Sequence, residues 1–234
     1  MAIYEEKEVC CPNCLQLNKS KLYTSITMPY DRRLHRGILS SDLFKISCTN
    51  CGENICISYP LVYTDLNRRF IICCKPDFDK SCLSYAYLED TYKDLEHITR
   101  RVVPDYNSLK EKIYCFENSL DDMAVEISKY AVARVLVEKL NIGDIDKGYL
   151  SIYDAANNTI GFTFFIGNDK KPYLQSARLE LYAKALRVVH DIAVNTKYKR
   201  DYLKIDIKWA EDMVNKYNKN KGSKKPEKPA VVKN

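Results

Sequence analysis

No stretch of this 234-residue chain approaches the roughly 20 consecutive apolar residues that cross a bilayer, and a membrane-spanning protein is therefore not expected. The start, MAIYEEKEVC, carries acids where a secretion signal needs a basic end and an apolar stretch, which makes the cytoplasm the expected location. The chain also lacks a P-loop, an HExxH or GxSxG pattern and a dinucleotide-binding glycine fingerprint. Histidine is scarce, limited to His35, His97 and His190, so acid–base chemistry is poorly supplied. His97 closes an acidic stretch, and His190 ends an amphipathic helix where positive charge suits the dipole. These absences argue against an enzyme and leave no small-molecule substrate evident.

A net basic excess in the body is missing too, although the formal net charge is +6. From Asn215 to Asn234 there are seven lysines and one glutamate, which leaves 30 basic and 30 acidic residues before them. A globally basic folded surface is thus excluded. The tail is rich in Lys and Asn, has too few apolar groups to repay ordering entropy, and is predicted to be disordered over 215–234.

What the chain does have is cysteine, ten in all. Without a secretion signal these are expected as thiols or metal ligands rather than disulfides. Two pairs have ligand spacing: Cys11-Pro12-Asn13-Cys14 and Cys48-Thr49-Asn50-Cys51-Gly52. Two residues between cysteines let a tight turn aim both sulfurs at one ion, with turn amides hydrogen-bonding the thiolates. Pro12 pre-sets one turn, and Gly52 permits a left-handed residue after the other. Four thiolates close a tetrahedral shell and leave no position for water or substrate, so one structural zinc on Cys11, Cys14, Cys48 and Cys51 is expected. Cys10 abuts Cys11 but points the other way on an extended chain. Cys56, Cys73, Cys74, Cys82 and Cys115 lack ligand spacing to one another and read as small buried apolar residues.

The pattern predicts an α+β protein. A strand over 20–28 leaves the first knuckle, a helical turn covers Asp31–Arg36, and residues 43–47 enter the second knuckle. Strands at 54–59, 61–64 and 69–74 follow, the last two as a hairpin. Residues 78–97 are ambiguous, with a helix the preferred reading, and Arg100–Val103 reads as a strand. Helical spacing of Leu109, Ile113, Phe116 and Leu120 opens a pair of helices, with Ser119 and Asp122 resembling a cap for the longer one, ending at Leu140. This zinc-ribbon-like domain, extended by a hairpin and two helices, spans 8–142. A smaller unit over 147–214 starts with a hairpin of 149–154 and 159–166. A helix buried through Leu179, Tyr182, Ala183, Leu186 and Val189 follows, then a strand at 202–205 and a last helix capped by Asp206.

The order of the knuckles, the hairpin YPLVYTDLNRRFIICC and the run RVVPDYNSLKEKIYCFENSLDDMAVEISK resembles the CpXC domain family of bacteria and archaea over roughly 8–130. The resemblance implies a prokaryotic zinc-bearing module held by the same four cysteines, and supplies no reaction. Thr49 stands where the family pattern has proline, and Leu15 follows the first pair in place of glycine. The reading reached is a structural zinc protein that binds or scaffolds a protein partner, eighteen tyrosines favouring such contacts. The alternative is a nucleic-acid-binding regulator using Arg32, Arg33 and Arg36 between the knuckles, with Tyr30 or Tyr63 stacking on bases.

Overall fold

A computed structural model of the protein describes residues 2–76, 97–143, 145, 147–166, 171–193 and 202–223. The fold is α+β, and the described residues divide between two compact units. One comprises Met1–Asp122, Tyr149–Ser151 and Asn195–Ile205; the other comprises Met123–Gly148, Ile152–Val194 and Asp206–Asn234. Among the described residues no helix is long and apolar enough to cross a membrane.

In the first unit, β1 (Ile3–Cys10) runs antiparallel to β2 (Leu17–Met28), from Cys10 opposite Leu17 to Ile3 opposite Ser25, so the first cysteine pair forms the hairpin loop. The far end of β2 turns inward and pairs parallel with β5 (Leu61–Asp65), Ser25 opposite Val62. β5 is antiparallel to β6 (Phe70–Cys74), which is parallel to β7 (Thr99–Val103), giving the order β1-β2-β5-β6-β7. Between β2 and β5 lie α1 (Arg32–Ser40), a single 3-10 turn (Asp42–Phe44), and the small hairpin of β3 (Lys45–Ser47) and β4 (Asn54–Cys56), whose loop is the second cysteine pair.

β5 and β6 are buried at every position, and the two-residue period of a strand splits their side chains between two layers. Leu61, Tyr63, Phe70 and Ile72 join Ile26 and Ile38, together with Leu109 and Ile113 of α2 (Tyr106–Glu117). Val62, Ile71 and Cys73 pack with Ile98 on the opposite face. Asp105 caps α2 by accepting the Ser108 amide at 2.8 Å. Tyr63 is wholly buried, and its hydroxyl meets His35 Nδ1 at 2.8 Å while His35 Nε2 lies 3.3 Å from Glu117, which fastens α1 to both sheet and α2. His35 is thus a packing anchor.

The same unit buries a charged trio. Asp122 receives Arg101 through two 2.7 Å contacts and Lys112 at 3.2 Å, and all three are at most 3% exposed. Burial alone would raise the Asp122 carboxyl, but Arg101, then Lys112, hold it well below its ordinary value. This overturns the capping expectation: the Asp122 side chain serves Arg101, and Ser119 takes a left-handed conformation, φ 57°, as the chain leaves α2.

A second sheet has β8 (Lys147–Asp154), β9 (Thr159–Ile166) and β10 (Lys171–Arg178) in the order β10-β9-β8. Ile160, Phe162 and Phe164 of β9 are fully buried. Gly148 lets the chain pass Phe164, since a Cβ there would sit 2.6 Å from that ring. Ala124 and Ile127 of α3 (Asp122–Leu140) pack on Ala185 of α4 (Leu179–Ala193) and Ala210 of α5 (Ile207–Ser223). Beyond Asp122, α3 lies in the second compact unit. The buried stripe of α4 is rotated, resting on Tyr182, Ala185, Val188 and Val189, with Leu186 38% exposed and Ala183 outside it. Asp206 caps α5 as expected, accepting the Trp209 amide at 3.0 Å. The helix runs on through Ser223, so the first part of the tail expected to be disordered is helical, while 224–234 lie outside the described residues. The strand expected at 202–205 reduces to one bridge, Leu203 beside Arg101. The helix preferred for 78–97 falls outside the described residues, apart from His97.

Candidate metal centre

Both cysteine pairs close the same turn. In the first, the Cys11 amide donates to Gln16 O and the Leu15 amide to Cys11 O, each at 2.9 Å; in the second, Cys48 donates to Glu53 O at 2.8 Å and Gly52 to Cys48 O at 3.0 Å. The residue after each pair is left-handed, Leu15 at φ 60° and Gly52 at φ 73°. Leucine therefore adopts the conformation that glycine favours, at a cost of about 1–2 kcal/mol for a side chain with Cβ.

Two short hairpins, β1-β2 and β3-β4, bring these turns face to face. Cys11 Sγ lies 3.6 Å from Cys51 Sγ, Cys14 Sγ lies 3.5 Å from Cys48 Sγ, and all four sulfurs fall within 4.8 Å of one another. A tetrahedral zinc site with Zn–S near about 2.3 Å has S···S edges of about 3.8 Å, so this cluster has the dimensions to hold a metal ion. Cys11 and Cys48 are buried, Cys14 is half-buried and Cys51 is exposed. Ile55, with Val9, Ile46 and Ile57, packs around the inner pair.

The electrostatics suit a cation. The backbone amides of Cys51 and Asn50 stabilise a Cys48 thiolate and bring its pKa down to about 6. The Asn50 side chain, then the Gln16 amide, lower that of Cys14. The Cys14 amide favours a thiolate at Cys11, yet burial and the thiols of Cys51 and Cys48 push it up to about 11. Four clustered thiols cannot all ionise alone, and a coordinated cation supplies the charge that lets them do so.

Side chains bearing on the sulfurs were not among those the spacing singled out. Asn13 Nδ2 lies 3.7 Å from Cys51 Sγ, and the Asn50 side chain favours the Cys14 thiolate, so each pair's asparagine bears on a sulfur of the other pair. Their shared place, third in Cys-Pro-Asn-Cys and Cys-Thr-Asn-Cys, is visible in the sequence. Asn18, 3% exposed, donates to Gln16 O at 2.9 Å and toward Cys48 Sγ at 3.7 Å, and accepts from Thr49 N at 2.8 Å and Thr49 Oγ1 at 3.0 Å. Nothing in the residues around Asn18 announces this role.

Among the described residues no other group of His, Cys, Asp or Glu gathers in this way. Cys10 is exposed, with its sulfur 3.6 Å from Leu15 O and outside the cluster; Cys56 is exposed, Cys73, Cys74 and Cys115 are buried, and Cys82 lies outside the described residues. Arg32, Arg33 and Arg36 are exposed on α1 and take no part in the cluster.

A family model described as CpXC protein matches residues 9–129, more than half of the chain. The chain belongs to the CpXC family. Comparison with curated proteins and with solved structures finds no match. The matched CpXC segment takes in both knuckles, the inner strands of the first unit's sheet, and α1 and α2, and it ends within α3. Thr49 of the second pair uses its backbone N–H to bind Asn18, a bond that proline has no hydrogen to make.

Proposed function

We propose that this CpXC chain is a non-catalytic binding module, cytoplasmic and prokaryotic, whose first unit is organised by one structural zinc on Cys11, Cys14, Cys48 and Cys51. The observation that carries the reading is the four-sulfur cluster with its asparagine and backbone donors. Four sulfurs would fill the shell, so the metal would serve folding, where such sites supply on the order of 10 kcal/mol of apparent binding energy. Contact with a protein is supported by the first knuckle, where Leu15 in the turn is 74% exposed and Leu17 at the start of β2 is 54% exposed. A leucine held left-handed and in water gains the fold nothing, whereas an apolar tip suits a protein surface.

The test is the metal content of the purified full chain with X-ray absorption at the zinc edge. One zinc per chain with four sulfur neighbours is expected. A folded chain without metal, or nitrogen or oxygen in the inner shell, would refute the zinc reading. A photo-crosslinker at position 17 should capture one protein in the native host, and capture should fail when Leu15 is serine; indifference to Leu15 would refute the contact.

A further inference from the structure

The arginines that the zinc centre leaves unused sit together on α1. Arg32, Arg33 and Arg36 fall within one third of the helix circumference, and all three are exposed. Ile38, Leu34 and His35 face the other way and fix the helix to the unit's core. None of the three arginines has an acidic partner among the described residues. Nor do they serve the helix: its first turn contains no acid, and cations there oppose the dipole.

The surroundings extend the charge. At the far end of α1, Lys110 donates to Ser41 Oγ at 2.7 Å, and Lys45 is near enough that its repulsion, after burial, lowers the Lys110 pKa. The acids beside the helix are engaged elsewhere, Asp31 on the Thr27 amide, Asp42 on Ser40 and Glu117 on His35. Among the described residues, Lys45 and Lys110 thus add positive charge at the end of α1 on a body that is neutral as a whole. Tyr30, 71% exposed, stands two residues before Arg32 and offers an aromatic face in water.

We propose that this face of α1 binds the phosphodiester backbone of single-stranded nucleic acid, with Arg32, Arg33 and Arg36 on phosphates and Tyr30 stacking on a base. Guanidinium groups pair with phosphate oxygens in a fixed fork, and an exposed aromatic ring accepts any base. Single strands are favoured over duplex because a paired base offers Tyr30 no free face. The inference stands apart from the protein contact at the first knuckle, and it requires the zinc only to keep the unit folded.

The experiment uses the full chain loaded with zinc and a fluorescent oligo-dT or oligo-U of about 15 nucleotides, titrated over a range of salt. In log affinity against log salt, the triple variant Arg32→Gln, Arg33→Gln, Arg36→Gln should lose about 2 from the slope, the share of three phosphate contacts on a single strand. Tyr30→Ala should weaken binding roughly tenfold at any salt, and the triple Arg→Lys variant should recover most of the slope. All these positions are exposed, so zinc content and melting temperature should not change. A second chain with the lysines beyond residue 215 changed to glutamine separates the tail. Wild-type slope in the arginine variant, with binding lost in the tail variant, would overturn the proposal in favour of tail attraction. Absence of binding at low salt would overturn it outright, and arginine-dependent binding to phosphatidylserine vesicles in place of the oligonucleotide would assign the face to a membrane surface.

Discussion

Replacing Asn18 with alanine removes five hydrogen bonds at one position, three that its amide group donates to Val9 O, Gln16 O and Cys48 Sγ, and two that it accepts from Thr49. The contacts at 3.5 and 3.7 Å are long and weak, so the loss resides mainly in the 2.8–3.0 Å bonds to Gln16 O, Thr49 N and Thr49 Oγ1. At about 1 kcal/mol for each of these three bonds, the first unit should lose about 3 kcal/mol of stability. Because Thr49 lies between Cys48 and Cys51, the second knuckle loosens with it, and zinc affinity should fall 10–100-fold, as for other groups that orient metal ligands. Asn18→Asp is the sharper variant. It keeps the acceptor for Thr49 but places a carboxylate beside the Cys48 sulfur, so it should retain part of the stability while weakening metal binding at least as much as alanine. Chelator competition gives the affinity, and urea unfolding with and without zinc gives the stability. If Asn18→Ala held zinc within twofold of the wild type, the sulfurs would be positioned by the turns alone and the argument for Asn18 would fail.

Leu15→Gly should raise stability by about 1 kcal/mol, since it relieves a left-handed leucine and removes a side chain that is mostly in water, less the extra entropy of glycine. A loss in urea unfolding would mean that the Leu15 side chain holds the fold. Asp122→Asn should cost about 3–5 kcal/mol at neutral pH, because Arg101 and Lys112 remain charged and buried after losing the carboxylate that both contact. Folding depresses the Asp122 pKa, so its contribution is present above the unfolded carboxylate value of about 4 and lost as pH falls below it. The gap between wild type and Asp122→Asn in denaturant unfolding should therefore narrow from pH 7 to pH 3, and a constant gap would contradict the pairing.

Cysteine spacing made the four-sulfur cluster legible because two residues between sulfurs constrain a turn whatever surrounds it. The inner strands β5 and β6 were equally legible, being apolar at nearly every position. β1 was not, because Tyr4 to Glu8 alternate no apolar face and the strand exists through its pairing with β2. β10 was missed for the same reason, its side chains being almost all exposed. The tail reading weighed composition alone, whereas residues 215–223 continue a helix already nucleated at Asp206 and held by Trp209 and Ala210, and adding residues to a formed helix costs far less than starting one. The repeated asparagine of the knuckles was on the page as sequence, yet its meaning depends on which sulfur lies opposite, and only the fold supplies that.

The reciprocal service of Asn13 to Cys51 and of Asn50 to Cys14 bears on how the chain is made. The first knuckle leaves the ribosome before the second and holds two thiols of a set of four. Its remaining ligands and the Asn50 side chain are encoded after β2 and α1, so at ordinary rates of synthesis, about 5–20 residues per second, it waits seconds for its counterpart. During that interval the nascent segment has a partial site that binds metal weakly and can be oxidised. A peptide ending before Cys48 should therefore take up zinc poorly however well its own turn forms, and the full centre should mature only once the second hairpin has emerged.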